Sequence, residues 1–165
     1  MAGGSPEDIE RLRTIFTDLT AEGGFAHVGP VGAGHFTKMV HNGVEYGMMQ
    51  AYGEGYEILG ASELGIDTDA ALAVWQNGSV VRSWLLDLLV KALTEDPGLA
   101  AIRGVAADSG EGRWTVEEAL RLAIPAPVVS AALFARYASR QEDSPALKVV
   151  AALRNQFGGH AVEQS

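Results

Sequence analysis

Apolar side chains recur every three to four residues along most of this chain, in stretches separated by short polar or glycine-rich breaks, as packed helices require. Ser5-Pro6-Glu7-Asp8 offers an N-cap, a proline in the first turn and acidic residues near the helix start, so a helix is expected through about Leu19. Gly23-Gly24 stops it. Phe25-Ala26-His27-Val28 reads as a short strand closed by Gly29-Pro30. A lone strand leaves its edges unpaired, which points to sheet material upstream. The next helix begins near Gly32–His35 and meets no proline before Gly65, so it is expected to run about thirty residues. Past Gln50 its polar side turns to Met49, Tyr52, Gly53 and Tyr56, a face suited to burial against another helix or subunit.

Five further helices follow. Asp67 or Thr68 caps one that runs through about Gln76, and Ser79 is expected to cap another over Val80–Leu93, closed by Asp96-Pro97-Gly98. Trp75 and Trp84, at the edges of these segments, read as core. The stretch from Gly104 to Arg113 reads as a glycine-rich loop, and Thr115-Val116-Glu117-Glu118 as a capping box that opens a helix ended by Pro125. Pro127 suits the first turn of a helix to about Gln141, and Ser144-Pro145 starts a last one through about Gln156, before a short tail. The expected class is therefore mainly α: about seven helices around one long helix, with one strand.

Composition narrows the chemistry. A chain of 165 residues with 47% hydrophobic content is long enough for a core of its own. It has no cysteine, which excludes disulfides, thiolate metal sites and a cysteine nucleophile, and suits the cytoplasm. His27, His35, His41 and His160 show no metal-binding spacing, so no metal is expected. The net charge of −9 argues against nucleic acid and anionic membranes as partners, and no stretch approaches the length of a membrane span.

The chemistry concentrates in Lys38-Met39-Val40-His41-Asn42-Gly43-Val44-Glu45-Tyr46. On a helix, Lys38, His41, Asn42, Glu45 and Tyr46 share an arc of roughly 140°. The plain alternative is the solvated face of an amphipathic helix. Two details oppose it. The arc holds one amine, one imidazole, one amide, one carboxylate and one phenol. Gly43 and Gly47 also weaken the helix, by about 1 kcal/mol each relative to alanine, which implies that something approaches its backbone closely. By contrast, Gly29-Pro30-Val31-Gly32-Ala33-Gly34 does not fit a dinucleotide-binding turn, because Thr37 stands where a third glycine belongs and no βαβ unit follows. It is expected to be a flexible lead-in to the helix, with room for a ligand beside it.

Gly32-x-Gly34-x-x-x-Lys38-x-x-x-Asn42 resembles the signature of the β-hydroxyacid dehydrogenase superfamily, and the longer string Lys38–Tyr46 resembles the 6-phosphogluconate dehydrogenase family in particular. Phe134-Ala135-Arg136 and the tail Arg154-Asn155-Gln156-Phe157-Gly158-Gly159-His160 agree with it. The resemblance covers the chain but only the C-terminal part of that enzyme. It implies that residues 1–31 are the last helix and strand of a nucleotide-binding Rossmann domain lying before Met1. Residues 32–165 would be a helical substrate-binding and dimerisation domain with a C-terminal tail.

What the resemblance implies is oxidation of 6-phosphogluconate at C3 by NAD or NADP, loss of CO2 from the 3-keto acid, and protonation of the enediol at C1 to give ribulose 5-phosphate. The cofactor would be held mainly by the missing domain, so the chain alone is expected to be inactive or nearly so. Lys38 would take the 3-hydroxyl proton and return it to the ketone oxygen, and Glu45 would protonate C1. A lysine base must shed its proton more readily than in water, through desolvation or nearby positive charge. His41 and Asn42 would bind hydroxyls or the carboxylate; Tyr46 and Arg136 the phosphate; Arg154 and His160 would reach the site of a partner subunit in a homodimer or tetramer. The alternatives for Arg136 and for the tail pair are an ordinary surface arginine and a frayed terminus.

One stretch departs from the family. Long-chain members carry Lys-Gly-Thr-Gly-Lys-Trp-Thr where this chain has Ser109-Gly110-Glu111-Gly112-Arg113-Trp114-Thr115. Ser109 is the remaining phosphate candidate, and Glu111 is expected to point away or to pair with Arg113. The departure and the short length resemble the family's short-chain branch. Two other readings stay open: another β-hydroxyacid dehydrogenase, and a helical oligomerisation module without catalysis.

Overall fold

The computed structural model describes residues 1–163; residues 164 and 165, the end of the expected helical domain, lie outside the described residues. The chain is mainly α, as expected, with seven helices and one small sheet among the described residues. Strand β1 (Ala2–Gly3) pairs in parallel with β2 (His27–Gly29), and α1 (Pro6–Asp18) makes the crossover between them. The strand expected to be unpaired thus has a neighbour. Two residues are too few to show any periodicity, which is why β1 gives no signal in the sequence.

Helix α2 (Ala33–Gly60) is the axis of the molecule. Its first turn packs on both strands, and a Cβ on Gly34 would stand 3.1 Å from Gly3 N and from Met1 O. The space beside the glycine-rich lead-in is therefore filled by β1 on that side, so this part of the turn is no open cradle for a ligand. Further along, α2 is covered by α5 (Glu111–Arg121) and α6 (Pro127–Ala138). Tyr46, Ala132 and Leu133 form one buried cluster there, with Met49, Val116 and Tyr137 against it. The second half of α2 lends Tyr52 and Tyr56 to another cluster, Leu72, Leu86 and Leu93, supplied by α3 (Thr68–Trp75) and α4 (Trp84–Glu95). A 3-10 turn, Pro97–Leu99, closes α4.

The expected caps hold at Ser5, Asp67 and Ser144, whose side chains accept from Asp8 N, Ala70 N and Leu147 N. Two starts differ. α4 begins at Trp84, four residues after the expected position, because Ser83 and not Ser79 accepts from a helical N–H, that of Leu86. Ser79 closes a local turn with Val81 N. α5 begins at Glu111, so Thr115 lies inside the helix and opens no capping box; its hydroxyl bonds to the carbonyls of Glu111 and Met39. Trp84 is no core residue: it is 78% exposed at the start of α4, whereas Trp75 packs against the second cluster.

α7 (Pro145–Gly158) is the outlier. None of its residues is buried, and Leu147, Val149, Val150, Leu153 and Phe157 are exposed. The whole chain exposes 11994 Å², against about 7,900 Å² for a compact monomer of its mass.

The glycine inference for α2 is met by particular neighbours. A Cβ on Gly43 would lie 2.6 Å from Thr115 Cγ2, and one on Gly47 3.1 Å from Val128 Cγ1. Thr115 is fixed by its two carbonyl bonds and has no freedom to retreat. Gly43→Ala should therefore destabilise the protein by about 1–3 kcal/mol, read as a lowered midpoint in denaturant, while Gly53→Ala, with open space around it, should not. At Ala123, where φ is 54°, a glycine should instead stabilise by about 0.5–1 kcal/mol.

Candidate active site

Helix α2 divides lengthwise into three faces. Met39, Gly43, Tyr46 and Gly47 turn inward against α5 and α6, while Val40, Val44 and Met48 form an exposed apolar row. Lys38, His41, Asn42 and Glu45 make up the third. Tyr46 therefore leaves the polar arc assumed for it. It stands at the edge of that arc, and the notch made by Gly112, whose Cβ would lie 2.3 Å from its ring, draws it inward.

The polar face is a connected group. His41 Nδ1 lies 3.2 Å from Lys38 Nζ and 3.2 Å from Asn42 Oδ1, with Glu45 Oε2 at 3.8 Å. The ring nitrogen accepts from the ammonium in one tautomer or donates to the amide oxygen in the other, and it cannot do both. His41 is half exposed and Glu45 about a third exposed.

Lys38 stands between two hollows. One, of about 520 Å³, is lined by His35, Phe36, Met39, Asn42, Glu111 and Trp114 besides Lys38. The other, of about 590 Å³, has Lys38, His41, Glu45, Val44 and Met48 of α2 on one wall and Ser83, the cap of α4, with Trp84 and Leu88 on the other. Both catalytic candidates face this second cavity.

Tyr46, Ser109 and Arg136 form a separate knot centred on Asp108. The Tyr46 hydroxyl donates to Asp108 Oδ1 (3.2 Å) and accepts from Ser109 N (3.3 Å). The Arg136 guanidinium lies 3.5 Å over the Tyr46 ring and donates to the Ala107 carbonyl (3.0 Å). Asp108, whose side chain is 7% exposed, also accepts from Gly110 N (2.9 Å) and from Arg113 Nε (3.3 Å). Burial pushes its carboxyl upward, but the hydrogen bonds from Gly110, Arg113 and Tyr46 together outweigh this and hold it below the ordinary aspartate value. The assignment of site residues from sequence left Asp108 out; the Asp-x-Gly spacing of an Asx turn was the available signal.

Glu111 neither points away nor pairs with Arg113. It lines the cavity with Lys38 and accepts a 2.6 Å hydrogen bond from Ser109 Oγ, while Arg113 pairs with Asp108 and Glu117. The Ser109 bond, joined by Glu111's own backbone N–H and the nearby Lys38 ammonium, lowers the Glu111 carboxyl. The loop closes onto its own helix because α5 starts early enough to bring Glu111 back over Ser109. Arg154 and His160 stay apart from both groups: Arg154 is exposed on α7, and the His160 carbonyl accepts from Asn155. No group of three potential metal ligands occurs among the described residues, and no described helix is long and apolar enough to cross a membrane.

An amine, an imidazole, an amide and a carboxylate thus share one helix and lie beside cavities within a helical domain. The family model described as 6-phosphogluconate dehydrogenase, C-terminal domain, matches residues 34–158, and the chain belongs to that family. It is 48% identical over 164 residues to Bacillus subtilis YqeC, itself only provisionally named a 6-phosphogluconate dehydrogenase, covering 99% of this chain and 55% of that protein. It is 41% identical to the NAD(+)-dependent, decarboxylating 6-phosphogluconate dehydrogenase of Haloferax volcanii, covering 98% of this chain and 55% of that protein. Plasmodium falciparum 6-phosphogluconate dehydrogenase, solved apo, with its cofactor NADP+ and with its substrate 6-phosphogluconate, superposes with a TM-score of 0.74 at 28% identity. That match covers 99% of this chain and 36% of the Plasmodium chain. The chain spans about half the length of the curated relatives it matches.

The depressed Asp108 carboxyl gives a pH test. Its stabilising contribution is fully present above the ordinary aspartate range and is lost as pH falls through its lower folded value. The stability gap between the unaltered protein and Asp108→Asn, measured by denaturant midpoints, should be widest near neutrality and close as the pH drops below roughly 4. A gap that stays constant down to acid would show that the carboxylate charge has no part in holding the loop.

Proposed function

We propose that this chain is the substrate-binding and dimerisation part of a short-type 6-phosphogluconate dehydrogenase, acting in the oxidative decarboxylation of 6-phosphogluconate to ribulose 5-phosphate and CO2. The observation that supports this most is the placement of Lys38 and Glu45 on one wall of a single cavity, in a chain of this family. Two helical turns separate them, roughly 10.5 Å along the axis, a spacing suited to different carbons of an extended six-carbon acid.

In this reading the neutral Lys38 amine takes the proton of the 3-hydroxyl as hydride leaves C3. A nicotinamide, NAD or NADP, supplies the hydride acceptor. The dinucleotide would be held mainly by another domain, since Gly34 of the glycine-rich turn after β2 is packed against β1. The Lys38 ammonium then returns its proton to the ketone oxygen as the C1–C2 bond breaks and CO2 departs. The electrons of that bond form the C2=C3 double bond of the enediol. Glu45 delivers a proton to C2, which becomes C1 of ribulose 5-phosphate, while Lys38 takes back the enol proton from the oxygen on C3. His41 and Asn42 bind hydroxyls or the carboxylate. Arg136 retains N–H groups towards a phosphate beyond those used on Ala107, and Tyr46 and Ser109 lie beside it.

A second copy of the chain completes this picture. The apolar residues of α7 are surface that a homodimer would cover, and Arg154 and His160 of one copy would enter the site of the other. A cytoplasmic location goes with this role.

Calorimetry on this chain should show binding of 6-phosphogluconate, lost in Arg154→Ala. In the full-length enzyme, Lys38→Met and Glu45→Gln should lower kcat by about a hundredfold or more with smaller changes in KM. Turnover at the unaltered rate in both variants would leave the oligomerisation module as the better reading.

A further inference from the structure

The cavity that holds Lys38 and Glu45 has two walls, and they belong to differently packed parts of the molecule. α2 is clamped by α5 and α6. The opposite wall, Ser83, Trp84, Leu85 and Leu88, belongs to the start of α4, whose main packing is with α3 and the 3-10 turn and which touches α2 sparsely. Something has to hold that wall at a set distance from the catalytic face.

Tyr52 is the residue that bridges the gap. It lies on α2 seven positions, about two turns, after Glu45 and on the same side of the helix, with its ring against the Leu72–Leu86–Leu93 cluster. Its hydroxyl reaches the lead-in to α4, where it donates to the Val81 carbonyl and lies 2.8 Å from Ser83 Oγ. Proton accounting gives these contacts a direction. The phenol has one hydrogen, and a carbonyl can only accept, so that hydrogen goes to Val81. Ser83 therefore donates its own hydrogen to the phenol oxygen, while its lone pair accepts the Leu86 N–H at 3.1 Å. The result is one chain running Leu86 N–H, Ser83 Oγ–H, Tyr52 Oη–H, Val81 C=O, in which each bond polarises the next. Among the described residues these are the only side-chain hydrogen bonds joining α2 to the segment 79–95.

We propose that Tyr52 is a positioning residue for the substrate cavity: through Ser83 it sets the start of α4, and with it Trp84 and Leu88, against Lys38, His41 and Glu45. Tyr52 does not touch the cavity's contents. It acts through a wall, so its removal loosens the cavity and leaves the acid–base group on α2 unchanged. Ser83 has two tasks, capping α4 and passing the Tyr52 bond, which is why it and not Ser79 begins the helix. This inference rests on the substrate reading given above for what the cavity holds, but not for how the wall is held.

The test pairs ligand affinity with local exchange. Tyr52→Phe keeps the ring in its cluster and deletes only the hydroxyl. Hydrogen exchange should speed up at the amides of Leu86 and its neighbours at the start of α4, while those of α5 and α6 keep their protection. Affinity for 6-phosphogluconate, by calorimetry, should fall by about fivefold or more, in line with one lost internal hydrogen bond. Ser83→Thr, which keeps the hydroxyl, should retain both properties where Ser83→Ala loses them. Protection at the start of α4 unaltered in Tyr52→Phe would overturn the proposal, as would a uniform rise in exchange across all helices. So would unaltered affinity alongside loosened exchange, since the wall would then be free without consequence. Failure of the unaltered protein to bind 6-phosphogluconate counts against the function proposed above; the exchange measurements would still decide whether Tyr52 holds the wall.

Discussion

The approach of α5 to α2 at Gly43 is the constraint on which the site depends. Thr115 sits where any side chain at 43 would have to go, and its hydroxyl bonds Met39 O across the contact. This one close passage sets the axial register of α5, and therefore where Glu111 and the Asp108–Gly110 turn arrive. It also lets Gly112 receive the Tyr46 ring. A wider contact would separate the loop from the lysine. The two glycines that weaken α2 as an isolated helix are thus what makes its assembly specific.

A consequence is that α2 serves two centres from adjacent turns. Its polar face carries Lys38, His41, Asn42 and Glu45 beside open cavities. One position further along, Tyr46 turns inward to organise the loop through Asp108. The same short segment thus holds an exposed polar group on one face and a fixed hydrogen-bond network on another. The network is rigid because its carboxylate is buried and satisfied by three donors; the polar face is adaptable because one imidazole nitrogen lies between a donor and an acceptor.

Much of this was legible in the sequence, and the failures have physical causes. The long helix, the caps at Ser5, Asp67 and Ser144, and the close approach implied by Gly43 follow from local rules, and they hold. The errors lie where two local signals competed or where tertiary contact decided. Ser79 and Ser83 are both plausible caps, and Tyr52, twenty-seven residues upstream of Ser79, favours the second. Thr115-Val116-Glu117-Glu118 has the pattern of a capping box, but Thr115 makes a better bond to a carbonyl of another helix. Tyr46 was given a solvent-facing role by periodicity, because a notch at Gly112 cannot be seen from position 46. Glu111 was expected to point away or to pair with Arg113, and the hydroxyl of Ser109 holds it instead.

The bareness of α7 bears on how the protein must be handled. Its two small clusters give the chain limited means to hold itself together, and its surface exceeds that of a compact monomer by about 4,000 Å². Whatever covers that surface contributes to the folding free energy by mass action. Where the cover is another copy, the melting temperature becomes a function of dilution, and a value quoted without a concentration has no fixed meaning. Where it is another segment of a longer polypeptide, the cover is always present and dilution has no effect.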